Sequence, residues 1–313
     1  MRDSVAKIID DLIKGTSVVS ILITKNENMI VKELDNNGRY NLRSLSKMLV
    51  EIACGFAESD GLFALEDSIS KFFPNYSFNN NYYSWNDASI KNLLEMSLGM
   101  NKQLLNGFPC KNIKEKDFLK YIFSYPLSNK PGEVFLYNNA CYYILSAIIQ
   151  KLCHQKLDDY LNRKLLYKIG VKNYIWNTCQ NGIVFGASNL FMCHQDYLSI
   201  ASLILNHGFF NGKKIIPEAS LNRIFNSGVL PYETHSNLNL LKKVRYGSGT
   251  WKTNSDIFYA DGKDGQCCVF CPKEKLIVST ISRCTDTDII LGLVEKAIKT
   301  FPSYSNCEML LHK

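Results

Sequence analysis

The chain has no apolar run long enough to cross a bilayer, no internal repeat and no low-complexity linker. The first absence excludes a membrane-spanning helix. The others leave nothing to divide the chain into tethered units. Charged residues interrupt the N-terminal segment at Arg2, Asp3, Lys7, Asp10 and Asp11, so it lacks the apolar core of a signal peptide. The 11 cysteines are odd in number and follow no regular spacing. Cys268 and Cys271, beside Cys267, have C-x-x-C spacing, but no second pair or Cys/His partner follows, which argues against a zinc site. No metal or other cofactor is expected. Unpaired thiols fit a reducing compartment, and the expected location is cytoplasmic, with no membrane partner. The five histidines (His154, His194, His207, His235 and His312) have no triad-like context, so a Ser-His-Asp mechanism has no support. The net charge of +7 is spread out, the densest runs being Lys213-Lys214 and Lys242-Lys243, and no stacking or groove-reading motif accompanies it. No nucleic-acid partner is expected.

What is present is a foldable chain. Its 313 residues, 46% apolar and 21% charged, can bury a sizeable core as one large α/β unit or two interlocked lobes. Apolar spacing predicts an amphipathic N-terminal helix with Val5, Ile8, Ile9 and Leu12 on one face, ending near Gly15. Strands are expected over 18–25 and 29–34, with a turn at Asn26-Glu27-Asn28. A helix is expected over 44–56, and further helices over 87–97, 140–152, 157–166 and 195–205 and from Pro217. Short β-like runs over 246–253, 256–260, 266–270 and 276–282 predict an antiparallel meander, followed by an amphipathic helix over 286–300. Strands at both ends imply one sheet completed by the two termini. The expected division is a single domain, 1–313, with a sheet lobe at 1–58 and 240–313 and a mostly helical lobe at 59–239.

The helix at Ser44 carries the chemistry. Leu45, Met48, Leu49, Ile52, Ala53 and Phe56 form one apolar stripe, while Val50 and Cys54 are apolar on the other side. Such a helix is buried, yet it holds Lys47 in its first turn, three residues from Ser44. Burial favours the neutral amine of a lysine. A neutral amine beside a hydroxyl can take its proton and make a nucleophile. The positive helix N-terminus favours the negative charge that develops. The same residues are also compatible with Ser44 as a plain N-cap and Lys47 extending to solvent.

Downstream segments, in order, bear on that choice. Ser44-Leu45-Ser46-Lys47, the run 61–74, the helix 90–100 with Leu98 interrupting a Ser-Gly pair, and Pro131-Gly132-Glu133-Val134-Phe135-Leu136-Tyr137-Asn138-Asn139 resemble the serine β-lactamase, penicillin-binding protein and esterase superfamily. The resemblance covers nearly the whole chain. It implies an α/β (α+β), β-lactamase/transpeptidase-like fold, with an antiparallel sheet flanked by helices and an inserted helical lobe. It implies Ser44 as nucleophile, Lys47 as its activating amine, and Tyr137 as phenolate base or proton relay. Asn139 would hydrogen-bond Lys47 and a substrate amide. Residues 186–190, Asp196, Asn206-His207-Gly208 and Asn211-Gly212-Lys213 look like structural landmarks.

The third motif departs from the family pattern. The run is Tyr259-Ala260-Asp261-Gly262-Lys263-Asp264-Gly265-Gln266. Aligning Gly262 and Gly265 puts Ala260 where many relatives carry a Lys or His that binds a substrate carboxylate. A shifted register reads Lys263-Asp264-Gly265 as the motif. The length of the run 266–272 favours the first. Without the cation, β-lactams and D-alanyl peptides become weaker candidates, and the motif style is nearest to esterase and linear-amide hydrolase branches. Gly262 would let the strand approach the substrate, and the N–H groups of Ser44 and Lys263 would form an oxyanion hole. The expected function is a serine hydrolase of a small amide or ester, acting through an acyl-enzyme. An acyltransferase using the same residues, or a non-catalytic sensor on the same fold, are the alternatives.

Overall fold

The computed structural model describes residues 2–26, 28–33, 38–107, 110, 112–228 and 238–301. Glu27 of the expected turn, Leu34 of the expected strand, and His235 and His312 lie outside the described residues.

Helix α1 (Arg2–Ile13) buries Ile9 and Ile13. Strands β1 (Val18–Lys25) and β2 (Asn28–Glu33) then pair antiparallel. A two-residue strand β3 (Tyr40–Asn41) leads through a 3-10 turn, Arg43–Leu45, into α2 (Ser46–Ser59). The helical part contains α3 (Ile90–Leu94), α4 (Phe118–Phe123), α5 (Asn139–Cys153) and α6 (Leu157–Lys164). Strands β4 (Tyr174–Trp176) and β5 (Leu190–Met192), helix α7 (His194–Leu205), the hairpin of β6 (Phe209–Phe210) and β7 (Lys213–Lys214), and helix α8 (Glu218–Asn226) follow. The last part is β8 (Arg245–Gly247), β9 (Thr250–Lys252), β10 (Phe258–Gly262), β11 (Gln266–Cys271), β12 (Leu276–Ser282) and α9 (Thr287–Thr300).

Seven strands form one antiparallel sheet in the order β2-β1-β12-β11-β10-β9-β8, so strands from the two ends of the chain lie side by side. The register pairs Ile21 with Thr280 and Gly262 with Gln266. The central strands are buried along their length because helices cover both faces. α7 lies on the face that carries Ser20 and Ser279, where His194 bridges their hydroxyls at 2.7 and 2.8 Å. α9 covers the other face, where Lys25 Nζ donates to the Phe301 carbonyl. His194 is fully buried, and burial lowers its pKa to about 3, so it is a neutral fastener between helix and sheet.

α2 is buried from Ser46 to Ala57 and forms the axis of the helical side. Gly55 allows α8 to pack closely, since a Cβ there would lie 2.5 Å from Ser220 Cβ. Burial of this many apolar side chains, at roughly 25 cal/mol per Å² removed from water, dominates the favourable side of folding.

Several expected boundaries shift. The helix expected over 87–97 is only α3, because Ser89 and Asn92 form a capping box that starts it at Ile90. Met96, with φ +52°, turns the chain out of the helix. The helix over 157–166 ends at Lys164, and Leu166–Ile169 continue as a 3-10 turn. The single strand expected over 246–253 is a hairpin. Ser248 and Gly249 (φ +53° and +78°) make its two-residue turn. The strand over 256–260 is displaced to Phe258–Gly262. The small sheet of β3, β5 and β4 had no strong sequence signal, since its strands have two or three residues each.

Candidate active site

Three segments meet at the start of α2. The first is the 3-10 turn Arg43–Leu45. Leu42 N–H donates to the Leu190 carbonyl, and Asn41 Oδ1 accepts from Arg43 N–H at 3.0 Å, which fixes the approach to the helix. Arg43 has φ +51°, a costly conformation for a residue with a side chain, so the turn before Ser44 is held by its surroundings. Its guanidinium pairs with Asp264 at 2.6 Å.

The second segment is α2 itself. Lys47 is only 1% exposed. Its Nζ lies 2.8 Å from Ser44 Oγ and donates to the Ala187 carbonyl at 2.6 Å. It also lies 5.1 and 5.8 Å from the ring centres of Tyr137 and Tyr142. Burial lowers its pKa from 10.5 to about 7, opposed by the Asp261 carboxylate and a smaller effect from Cys141. The amine and ammonium forms are therefore both available near neutral pH.

The third segment is the C-terminal end of β10 at Gly262. A Cβ there would lie 2.8 Å from Arg43 Cβ and 3.1 Å from the Ser44 nitrogen, so the absence of a side chain is what lets β10 touch the turn. The strand ends at Gly262, and Lys263–Gly265 turn the chain into β11. This places Ala260 inside the strand, 1% exposed, and Lys263 in an exposed turn beyond it. The hairpin tip at Gly249 packs on the same helix turn, where a Cβ would meet Met48 N at 2.9 Å.

Tyr137 precedes α5. Its ring stacks on Trp251 at 6.0 Å and 12°, and meets Tyr246 edge-on at 5.5 Å. Burial raises its phenol above the ordinary range, and its hydrogen bond with Ser44 pulls the other way. Asn138 caps α5 by accepting from Ala140 N–H and also accepts from Leu104 N–H, which anchors Tyr137 from behind. The expected Asn139–Lys47 hydrogen bond is not formed. Asn139 Nδ2 is drawn to the Leu105 carbonyl at 3.1 Å, while Lys47 turns to Ser44 and Ala187. Asn139 Oδ1 is buried with no partner among the described residues.

The site thus brings Ser44, Lys47, Tyr137 and Gly262 together, with Lys263 next in chain and Asn139 behind Tyr137. Three participants were missed in the sequence. The Ala187 carbonyl carried no signal, because a backbone acceptor has no residue signature. Trp251 stood in a run read only as a strand. Asp261 was visible beside Gly262 but was not assigned a role. Among the described residues no cluster of three or more His, Cys, Asp or Glu side chains could hold a metal ion, and Cys267, Cys268 and Cys271 are buried along β11. No helix of the described residues is long and apolar enough to cross a membrane.

Known proteins resemble the chain at two levels. Protein flp of Staphylococcus aureus strain COL is 29% identical over 172 residues, half of this chain and 34% of that protein. The N315 strain's Protein flp is 29% identical over 182 residues, covering 53% and 36%. The chain therefore matches only about a third of these relatives' length. In three dimensions it resembles a protein assigned as a 6-aminohexanoate-dimer hydrolase from Bacillus anthracis (TM-score 0.74, 16% identity, 95% of this chain and 81% of that one). It also resembles a class C beta-lactamase (TM-score 0.72, 16% identity, 96% and 98%). At these identities the likeness is one of fold. The sequence profile that matches this chain over residues 5–288 spans the Ser44 turn, the Tyr137 segment and the Gly262 strand alike, and by it the chain belongs to the beta-lactamase family, a family of serine hydrolases.

Proposed function

We propose that the protein cleaves a small amide or ester through an acyl-enzyme on Ser44. The observation that carries this reading is the 2.8 Å approach of the buried Lys47 amine to Ser44 Oγ. Neutral Lys47 takes the hydroxyl proton as Oγ bonds to the substrate carbonyl carbon. The N–H groups of Ser44 and Lys263 hold the oxyanion, and bare Gly262 keeps that space open. When the carbon–nitrogen or carbon–oxygen bond of the leaving group breaks, the proton passes from Lys47 through the Tyr137 hydroxyl to the leaving atom. Water then attacks the acyl carbon, returns the proton to Ser44 Oγ and frees the acid. Tyr137 acts in this scheme as a relay and not as a phenolate base, because burial raises its pKa while that of Lys47 falls to about 7.

Linear amides and esters are favoured over β-lactams and D-alanyl peptides because Ala260 replaces the cation that would hold their carboxylate. The 6-aminohexanoate-dimer activity assigned to the B. anthracis neighbour is compatible with a linear amide. A fluorophosphonate probe and a panel of aryl esters, aryl amides, a chromogenic β-lactam and D-alanyl peptides test the proposal. Wild-type protein is labelled and turns over an ester or amide, and Ser44→Ala does neither. Equal labelling of the two would remove Ser44 as the nucleophile, and fast β-lactam turnover would overturn the substrate class.

A further inference from the structure

Asp261 has both carboxylate oxygens committed. Oδ1 accepts from the Trp251 indole N–H at 2.7 Å, and Oδ2 pairs with Lys243 Nζ at 2.6 Å. Lys243 Nζ also lies 4.5 Å from the Trp251 ring centre. The indole so held is the one that stacks on Tyr137. Asp261 is next to Gly262, the residue against the Ser44 amide. Its charge reaches Lys47, Tyr137 and Tyr246. A mere surface ion pair would need none of this, since an exposed pair contributes little to stability. The pair here is half-buried and continuous with the catalytic aromatic wall.

We propose that Asp261 is a positioning residue of the Ser44 site. Its carboxylate braces Trp251 against Tyr137 and sets the field at Lys47, and Lys243 limits how much of that negative charge the site feels. The inference rests on the Ser44 reading given above. The groups facing Lys47 are Ser44 on its own turn, Tyr137 ahead of α5, Cys141 and Tyr142 within α5, and Asp261 on β10. The Arg43–Asp264 pair borders the same turn. Those facing Asp261 are Lys243, Trp251 on β9, Tyr246 on β8, Tyr259 on its own strand and Cys267 on β11. Of these, Asp261 and Lys243 are the two whose removal changes the charge at the amine in opposite senses.

The signs follow from Coulomb's law. A negative Asp261 favours the ammonium form of Lys47. Asp261→Asn keeps an oxygen for the Trp251 N–H but removes the charge. The acid limb of the Ser44 acylation rate then moves to lower pH, on the order of half a unit. Lys243→Met removes the opposing cation, and the limb moves to higher pH. Lys243→Arg restores the wild-type limb. Trp251→Phe keeps a ring but loses the donor, so it lowers the plateau rate more than it moves the limb.

The test follows fluorophosphonate labelling, or turnover of an uncharged aryl ester, from pH 5 to 9 in these four variants. Opposite limb shifts for Asp261→Asn and Lys243→Met, with Lys243→Arg matching wild type, bear the proposal out. Unmoved limbs in both, or shifts of the same sign, overturn it. Ser44-dependent labelling with unmoved limbs would remove this inference alone. Labelling that survives Ser44→Ala would remove the reading beneath it.

Discussion

The Nζ of Lys47 stands 2.6 Å from the carbonyl oxygen of Ala187, at the end of a segment more than a hundred residues away in sequence. The neighbouring Gly186 carbonyl accepts from Ser46 Oγ, so two successive carbonyls dock on the first turn of α2. Gly186 makes this possible, because a Cβ there would lie 2.8 Å from the Tyr142 carbonyl oxygen. A neutral carbonyl can accept from either the amine or the ammonium form. It fixes the position of Nζ and leaves desolvation to decide the charge.

The rate of Ser44 acylation is expected to rise with pH through a limb centred near pH 7, where Lys47 loses its proton. Lys47→Arg replaces an amine that can deprotonate by a guanidinium that cannot. Time courses of probe labelling from pH 5 to 9 check both points. The arginine variant should lose at least about a hundredfold in rate at every pH.

Lys47 also has a cost. Its folded pKa of about 7 lies below the ordinary lysine value of 10.5, so between those pH values the unfolded chain binds the proton and the folded one does not. Stability therefore rises with pH across that window through this group, and the full penalty is present below pH 7. Lys47→Met should raise the free energy of unfolding at pH 6, measured by chemical denaturation, by a few kcal/mol in order of magnitude. The gain should shrink toward pH 10. A methionine variant less stable than wild type at pH 6 would contradict the burial argument.

Gly262→Ala places a methyl group 2.8 Å from Arg43 Cβ and 3.1 Å from the Ser44 nitrogen. Relief requires the strand and the Ser44 turn to separate by several tenths of an ångström. Acylation should fall by roughly ten- to a hundredfold, since small misplacements at a reacting centre are costly. Thermal unfolding should still be cooperative. Wild-type acylation in this variant would mean that the close approach has no part in the chemistry.

Glu51, one turn beyond Lys47 on α2, is completely buried and accepts from Arg223 Nε at 2.8 Å and Ser220 Oγ at 3.2 Å. Burial pushes its carboxyl pKa up, and Arg223 pulls it back. Arg223 also reaches Glu58 at 2.7 Å, tying α8 to α2. Arg223→Met leaves a buried carboxylate without its cation and should cost about 3–5 kcal/mol. Denaturation curves of Arg223→Met and of the Glu51→Gln/Arg223→Met pair check this. The double variant should regain part of the loss, because no buried charge is stranded.

The elements were legible in proportion to their length and regularity. The stripe of Leu45, Met48, Leu49 and Ile52 marked α2, and β1 and β12 stood out as apolar runs. Short elements were not legible. The two- and three-residue strands β3, β4 and β5 are held by pairing across the chain, Tyr40 with Met192 and Trp176 with Leu190, which no local pattern encodes. The split of β8 from β9 depends on positive φ at Ser248, a residue with no general preference for it.

The sequence by itself determined which chemistry was on offer. Ser44 and Lys47 are three residues apart at the start of an apolar helical run, close enough to be neighbours by local geometry alone, and Tyr137 and Asn139 following in order carried the resemblance to the family. Only the tertiary structure decided how that chemistry is set. The depth of Lys47 comes from α5, the Gly249 hairpin tip and the Ala187 segment closing around it, and desolvation is a property of all of them together. Likewise, Asn139 turns to Leu105 because a separate segment of the chain places an acceptor within reach, and Asp261 holds Trp251 because β10 pairs with β9. Local spacing fixes neighbours within one turn of helix, whereas burial and long-range hydrogen bonds exist only once the chain has packed.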